Sequence, residues 1–85
     1  MTPHDHIIFT DLDGAEGVLV DLNTKQYFQL NETACVIWRG LASGTPAIEI
    51  AREMTTRYDV TLEHARSSVD AAVGALTAHH LVRPD

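Results

Sequence analysis

The chain has a single cysteine, Cys35, so no intramolecular disulfide can brace it, and a reducing compartment, the cytoplasm, is the default expectation. Positive charge is scarce: six Lys and Arg stand against twelve Asp and Glu, for a formal net charge of −6. A phosphate backbone needs clustered cations, so no nucleic-acid partner is expected. No apolar run approaches the roughly 20 residues that span a bilayer, and no membrane role is expected. The first residues, Met1-Thr-Pro-His-Asp-His6, lack the basic and apolar regions of a signal peptide. There is no Gly-rich phosphate loop and no nucleophile-elbow pattern. The chain therefore reads as a non-enzyme that needs no cofactor.

What is present is one small domain. Eighty-five residues, 45% of them hydrophobic, suffice for a single core of limited size. Residues 1–85 form that domain, with 1–5 expected to fray. Residues 6–10 are a short β-prone run around Ile7, Ile8 and Phe9, ended by turn chemistry at Asp11-Leu-Asp-Gly14. Residues 17–22 are a second strand, too uniformly apolar to fix its faces. Asn23, Thr24 and Lys25 make a turn, and residues 26–30 are a third strand. Strands joined so tightly must be antiparallel. Phe28 and Leu30 share one face of the third strand, assigned to the core, and Tyr27 and Gln29 share the other.

Three helices follow. Asn31 is the expected N-cap of the first, with Glu32 near its positive end. Ala34, Ile37, Trp38 and Leu41 make its apolar face, and Ser43-Gly44 closes it. Thr45 as cap and Pro46 as first helical residue open the second helix, whose apolar face is Ala47, Ile50, Ala51, Met54 and Tyr58. Thr61 caps the third, which carries Leu62, Ala65, Val69, Ala72, Val73 and Leu76 and is expected to run on to Leu81 and Val82. The fold class is α+β: a three-stranded antiparallel sheet, then a three-helix bundle.

Candidate chemistry is thin. His4-Asp5-His6 reads as a solvated terminus rather than a metal pair. His79 and His80 point about 100° apart on a helix and do not readily face one ion. No metal site is expected. Cys35 reads as a small buried hydrophobe. Cys35 and the histidines are expected to be dispensable. Three helices beside a small sheet also suit a winged-helix DNA-binding regulator. Its reading helix, however, would present Glu63, His64, Arg66, Ser67 and Asp70, one cation between acids.

The residues Leu19-Val-Asp-Leu-Asn-Thr-Lys-Gln-Tyr-Phe-Gln-Leu-Asn-Glu-Thr-Ala34, then Ile37-Trp38, Tyr58-Asp59-Val60 and Ala65-Arg66…Val69…Leu76…Leu81, resemble the PqqD-like family of peptide-recognition domains. Within it, Tyr27-Phe-Gln-Leu-Asn31 and Ile37-Trp38-Arg39 look most like the stand-alone leader-binding proteins of lasso-peptide clusters. The nearer alternative is the peptide chaperone of the pyrroloquinoline quinone pathway, which serves a radical SAM enzyme. Ser68 departs from the family pattern, where Asp commonly precedes the valine. His80 departs too, where Gly commonly precedes the last leucine.

The resemblance implies a winged-helix-like bundle and a non-catalytic adaptor. Its partners would be the leader segment of a ribosomal precursor peptide and a leader peptidase or other maturation enzyme. The leader would pair with the third strand beside the third helix. The residues this points to are Gln26, Tyr27, Phe28, Gln29 and Leu30, with Arg66, Val69, Asp70, Val73 and Leu76. Backbone pairing alone is insufficient for affinity. Each hydrogen bond nets roughly 0.5–1.5 kcal/mol, while ordering each peptide residue costs about 1–2 kcal/mol. The surplus must come from buried apolar side chains, at roughly 1.5–3 kcal/mol each.

Overall fold

The computed structural model describes residues 2–12 and 16–83. In chain order it has β1 (Thr2–Pro3), β2 (Ile7–Asp11), β3 (Gly17–Asp21), β4 (Gln26–Leu30), α1 (Glu32–Ala42), α2 (Ala47–Arg57), α3 (Leu62–Ala78) and β5 (Val82–Arg83). The main sheet has the order β2-β3-β4, antiparallel throughout. This is the α+β class expected, a three-stranded sheet followed by three helices.

Register settles the faces that the apolar run of β3 left open. Ile7, Asp21 and Gln26 lie in one row across the sheet, and Phe9, Leu19 and Phe28 in another. Cross-strand partners point to the same side. Leu19 is fully buried, so this is the core face. Ile8, Val20 and Tyr27 form a row on the opposite face, where Ile8 and Tyr27 are exposed. Leu30 is buried and Phe28 half-buried, both on the core side as their alternation requires.

The helices start where their capping chemistry dictates. Asn31 Oδ1 accepts from the Ala34 N–H at 2.9 Å, and Thr61 Oγ1 accepts from the His64 N–H at 3.1 Å. Such caps satisfy donors that the first turn leaves orphaned. The second helix differs from expectation. Pro46, not Thr45, holds the cap position, and no side chain caps it. Its carbonyl accepts from the N–H groups of Glu49 and Ile50. The core gathers Leu19, Leu30, Cys35, Ile37, Trp38, Leu41, Ile50, Ala51, Met54, Ala65, Val69 and Leu76. Gly40 lets α1 and α2 approach closely: a Cβ there would meet Ile50 Cγ1 at 2.7 Å.

The two ends of the chain depart from the sequence reading. Within residues 1–5, the stretch expected to fray, Met1 lies outside the described residues, Thr2 and Pro3 pair antiparallel with Arg83 and Val82, and the His4 N–H donates to the Leu81 carbonyl at 3.3 Å. The third helix was expected to include Leu81 and Val82, yet it stops at Ala78. His80 takes a left-handed conformation with φ 58°, which turns the chain. Leu81 and Val82, each 2% exposed, then enter the core as an extended segment. Their burial is what recruits the N-terminus as a partner strand, since a lone buried strand would leave backbone groups unpaired.

Candidate functional site

The main sheet ends at β4. Its inner edge pairs with β3 in full register, and among the described residues its outer edge has no partner strand. Alternate residues of such a strand turn N–H and C=O groups outward. An exposed edge of this kind is a template for another chain. Tyr27 is 74% exposed on the outer face, and Gln26 and Gln29 are exposed as well. No proline interrupts the strand, so every residue of β4 keeps its donor.

On α3 the expected residues fall into three groups. Val69 and Leu76 are buried and belong to the core, together with Leu30 of β4. Val73 and Phe28 are half-buried against that core, leaving apolar surface uncovered. Arg66 and Asp70 are exposed. With Ala47, Ile48 and Val69 they line a shallow cleft of about 210 Å³ on the side of α3 that faces the start of α2. A wider one of about 550 Å³ continues along Leu62, Glu63 and Ser67. The structure therefore brings Arg66 and Asp70 together with α2, while β4 meets α3 elsewhere.

One contact of β4 lies just past the end of α3, at His79, which the sequence reading set aside. Its ring lies 5.0 Å from that of Phe28, centroid to centroid, with the planes tilted by 53°. The sequence reading considered His79 only as a metal ligand, not as a neighbour of the third strand, and expected it to be dispensable. Its position at the end of a helix, not its spacing from other ligand-type residues, carries the signal. On a helical wheel it continues the flank of Ser68, Ala72 and Ala75, at steps of four, three and four residues. The Arg66 and Asp70 flank lies across the buried seam.

Two acidic and thiol groups complete the chemistry near the sheet. Asp21, 4% exposed, sits at the mouth of the β3–β4 turn. Burial would push its carboxyl up, but the Thr24 and Asn23 N–H groups, His6 and the Thr24 hydroxyl outweigh it and hold the carboxyl below its ordinary range. The two N–H bonds to Oδ1 measure 3.2 Å and 2.9 Å, and His6 Nε2 stands 3.7 Å away. Burial pushes the Cys35 thiol up against the opposing pull of Arg39, which keeps it protonated and unreactive. Among the described residues, no three His, Cys, Asp or Glu side chains gather as a metal site, and no helix is long and apolar enough to cross a membrane.

Comparison with known proteins places this geometry. No curated protein sequence matches the chain significantly. Two solved structures do match its fold over nearly the whole length. One is TbiB1 in complex with the TbiA(beta) leader peptide, with a TM-score of 0.92 and 26% identity, covering 100% of this chain and 98% of that one. Another is a lasso peptide synthetase B1 complexed with the leader peptide, with a TM-score of 0.88 and 28% identity, covering 96% and 95%. The family model for coenzyme PQQ synthesis protein D matches residues 16–82, which takes in β3, β4, all three helices and the turn after them. The chain belongs to the PqqD family.

Proposed function

We propose that this protein is a non-catalytic adaptor that binds the leader segment of a ribosomal precursor peptide. The leader adds as a fourth strand to the outer edge of β4, and the domain presents the precursor to the leader peptidase of a lasso-peptide pathway. The observation that carries this reading is the unpaired edge of β4 in a fold shared, end to end, with two leader-bound proteins. Main-chain pairing would use residues 26–30. Phe28 and Val73 offer the half-covered apolar surface that backbone bonds alone do not supply. Leu30, Val69 and Leu76 back that surface from the core, and Tyr27 packs beside outward leader side chains. Arg66 and Asp70, on the flank of α3 that faces α2, lie outside it. A ribosomal precursor is made in the cytoplasm, and the adaptor acts there.

The test is amide hydrogen exchange with and without a synthetic copy of the leader encoded in the same gene cluster. Protection rises across residues 25–30 and 69–80 and changes little in α2. Protection centred on α2 instead would misplace the site. Adding the adaptor should also accelerate leader removal by the cluster's peptidase. Stimulation of a radical SAM enzyme in its place would move the protein to the other branch of the family. Tight, salt-sensitive binding to random duplex DNA would sink the adaptor reading.

A further inference from the structure

We infer that His79 is a specificity-determining residue of the peptide site, forming with Phe28 a notch that selects an apolar side chain on the incoming strand. The inference rests on the adaptor reading above. Phe28 points to the core side of an edge strand yet stays half-buried, so part of its ring is uncovered. A strand added to that edge would place the side chain opposite Phe28 with its Cβ about 4.5–5.5 Å from that of Phe28. The His79 ring already stands 5.0 Å from the Phe28 ring. On this inference the incoming side chain packs beside both rings.

The flank of α3 that leads to His79 explains why the notch lies there. Ser68, Ala72 and Ala75 are too short to reach far across toward β4. His79 is the first side chain on that flank with the length to do so, and its ring touches that of Phe28. Its backbone is also held firmly. The His79 N–H donates to the Ala75 carbonyl at 3.1 Å, and the left-handed His80 that follows is tied to Thr77 at 3.0 Å. A ring mounted on such a fixed turn loses little freedom when a ligand arrives, which favours binding through preorganisation. A very small side chain opposite Phe28 would gain little from two rings.

A double-mutant cycle tests this with a fluorescein-labelled synthetic leader from the same gene cluster. The folded chain is titrated as wild type, His79→Ala and His79→Phe, against the natural leader and single-alanine variants along it. Truncating one ring of an aromatic pair predicts that His79→Ala weakens binding by about tenfold, while His79→Phe stays within about threefold. The loss should vanish for one leader variant only, the one lacking the inward side chain opposite Phe28, because the two changes remove the same contact. A merely structural role would lower affinity equally for every variant. If the wild type binds and His79→Ala stays within twofold, or its loss is the same for every leader variant, the notch is refuted and the adaptor reading stands. If the wild type does not bind the leader at all, both fall.

Discussion

Two helices of this protein end in the same hydrogen-bond pattern, built from different residues. At the end of α1, the Gly44 N–H donates to Leu41 at 3.1 Å and the Thr45 N–H to Gly40 at 2.9 Å. At the end of α3, the His80 N–H donates to Thr77 at 3.0 Å and the Leu81 N–H to Leu76 at 2.9 Å. Both are Schellman closures, and both need a left-handed residue, Gly44 at φ 79° and His80 at φ 58°. Glycine adopts that conformation without a steric penalty, whereas a side chain at that position costs about 1–2 kcal/mol. The ends are balanced differently. Around Gly44 the flanking pair is Gly40 and Thr45, with little apolar surface to bury. Around His80 it is Leu76 and Leu81, 8% and 2% exposed. One turn is set by local backbone preference and the other by packing.

The largest expected effect comes from removing the packing. Leu81→Ala should destabilise the protein by about 2–4 kcal/mol, the range for a buried leucine truncation. The corresponding Thr45→Ala, at a half-buried position, should stay within about 0.5 kcal/mol. Urea unfolding followed by circular dichroism measures both. Equal losses would show that the two ends are closed alike. Next in size is Gly44→Ala. A Cβ at Gly44 would meet nothing within 4 Å, so the cost is backbone strain alone, about 1 kcal/mol. A loss well above that would mean the glycine serves a packing role not seen here.

The converse substitution at the other end should help. His80→Gly relieves the left-handed side chain and is expected to add about 0.5–1 kcal/mol, reduced by the greater entropy of glycine in the unfolded chain. His79 and its contact with Phe28 are left in place. The variant should therefore bind the leader as tightly as wild type while melting at higher temperature. A drop in affinity would indicate that the strained turn itself positions His79.

The contrast between the two turns also explains which parts of the fold were legible in the sequence. Ser43-Gly44 announces a helix end, because glycine is informative wherever a positive φ is needed. His80 announces nothing, and the apolar Leu81 and Val82 look like one more helical turn until burial pulls them into a separate strand. The capping residues Asn31 and Thr61 were readable because their chemistry is local. Pro46 was one position off, a common uncertainty at helix ends. For the site, the alternation in β4 separates Tyr27 from Phe28 without any structure. The wheel of α3 is different. It places Arg66 with Asp70, and Ser68 with His79, but which flank lies toward the sheet depends on how the helix sits in the bundle. No spacing within the helix contains that information.

A further left-handed residue among those described sharpens the comparison, and its expected effect is confined to acid. Lys25, at φ 65°, closes the turn between β3 and β4 with neither a glycine nor an apolar pair. Its N–H donates to the Asp21 backbone carbonyl at 2.7 Å, while the Asp21 carboxylate accepts from Asn23 and Thr24. The turn is held by a charge. The folded carboxyl titrates below its ordinary value of 3.8, despite the opposing effect of burial, because those N–H groups and His6 favour the ionised form. A group whose folded pKa is depressed contributes stability above its unfolded pKa and loses it as pH falls through the folded pKa. Wild-type stability should therefore decline as the pH drops below 3.8, and Asp21→Asn should show a shallower decline over the same interval. The amide keeps one acceptor oxygen for the two N–H groups, so the neutral-pH difference reports the charge rather than the turn. Thermal melts of both proteins from neutral pH to pH values below 3.8 make the comparison. Parallel curves would mean that the turn of Lys25, like that of His80, is held by its surroundings and not by the carboxylate within it.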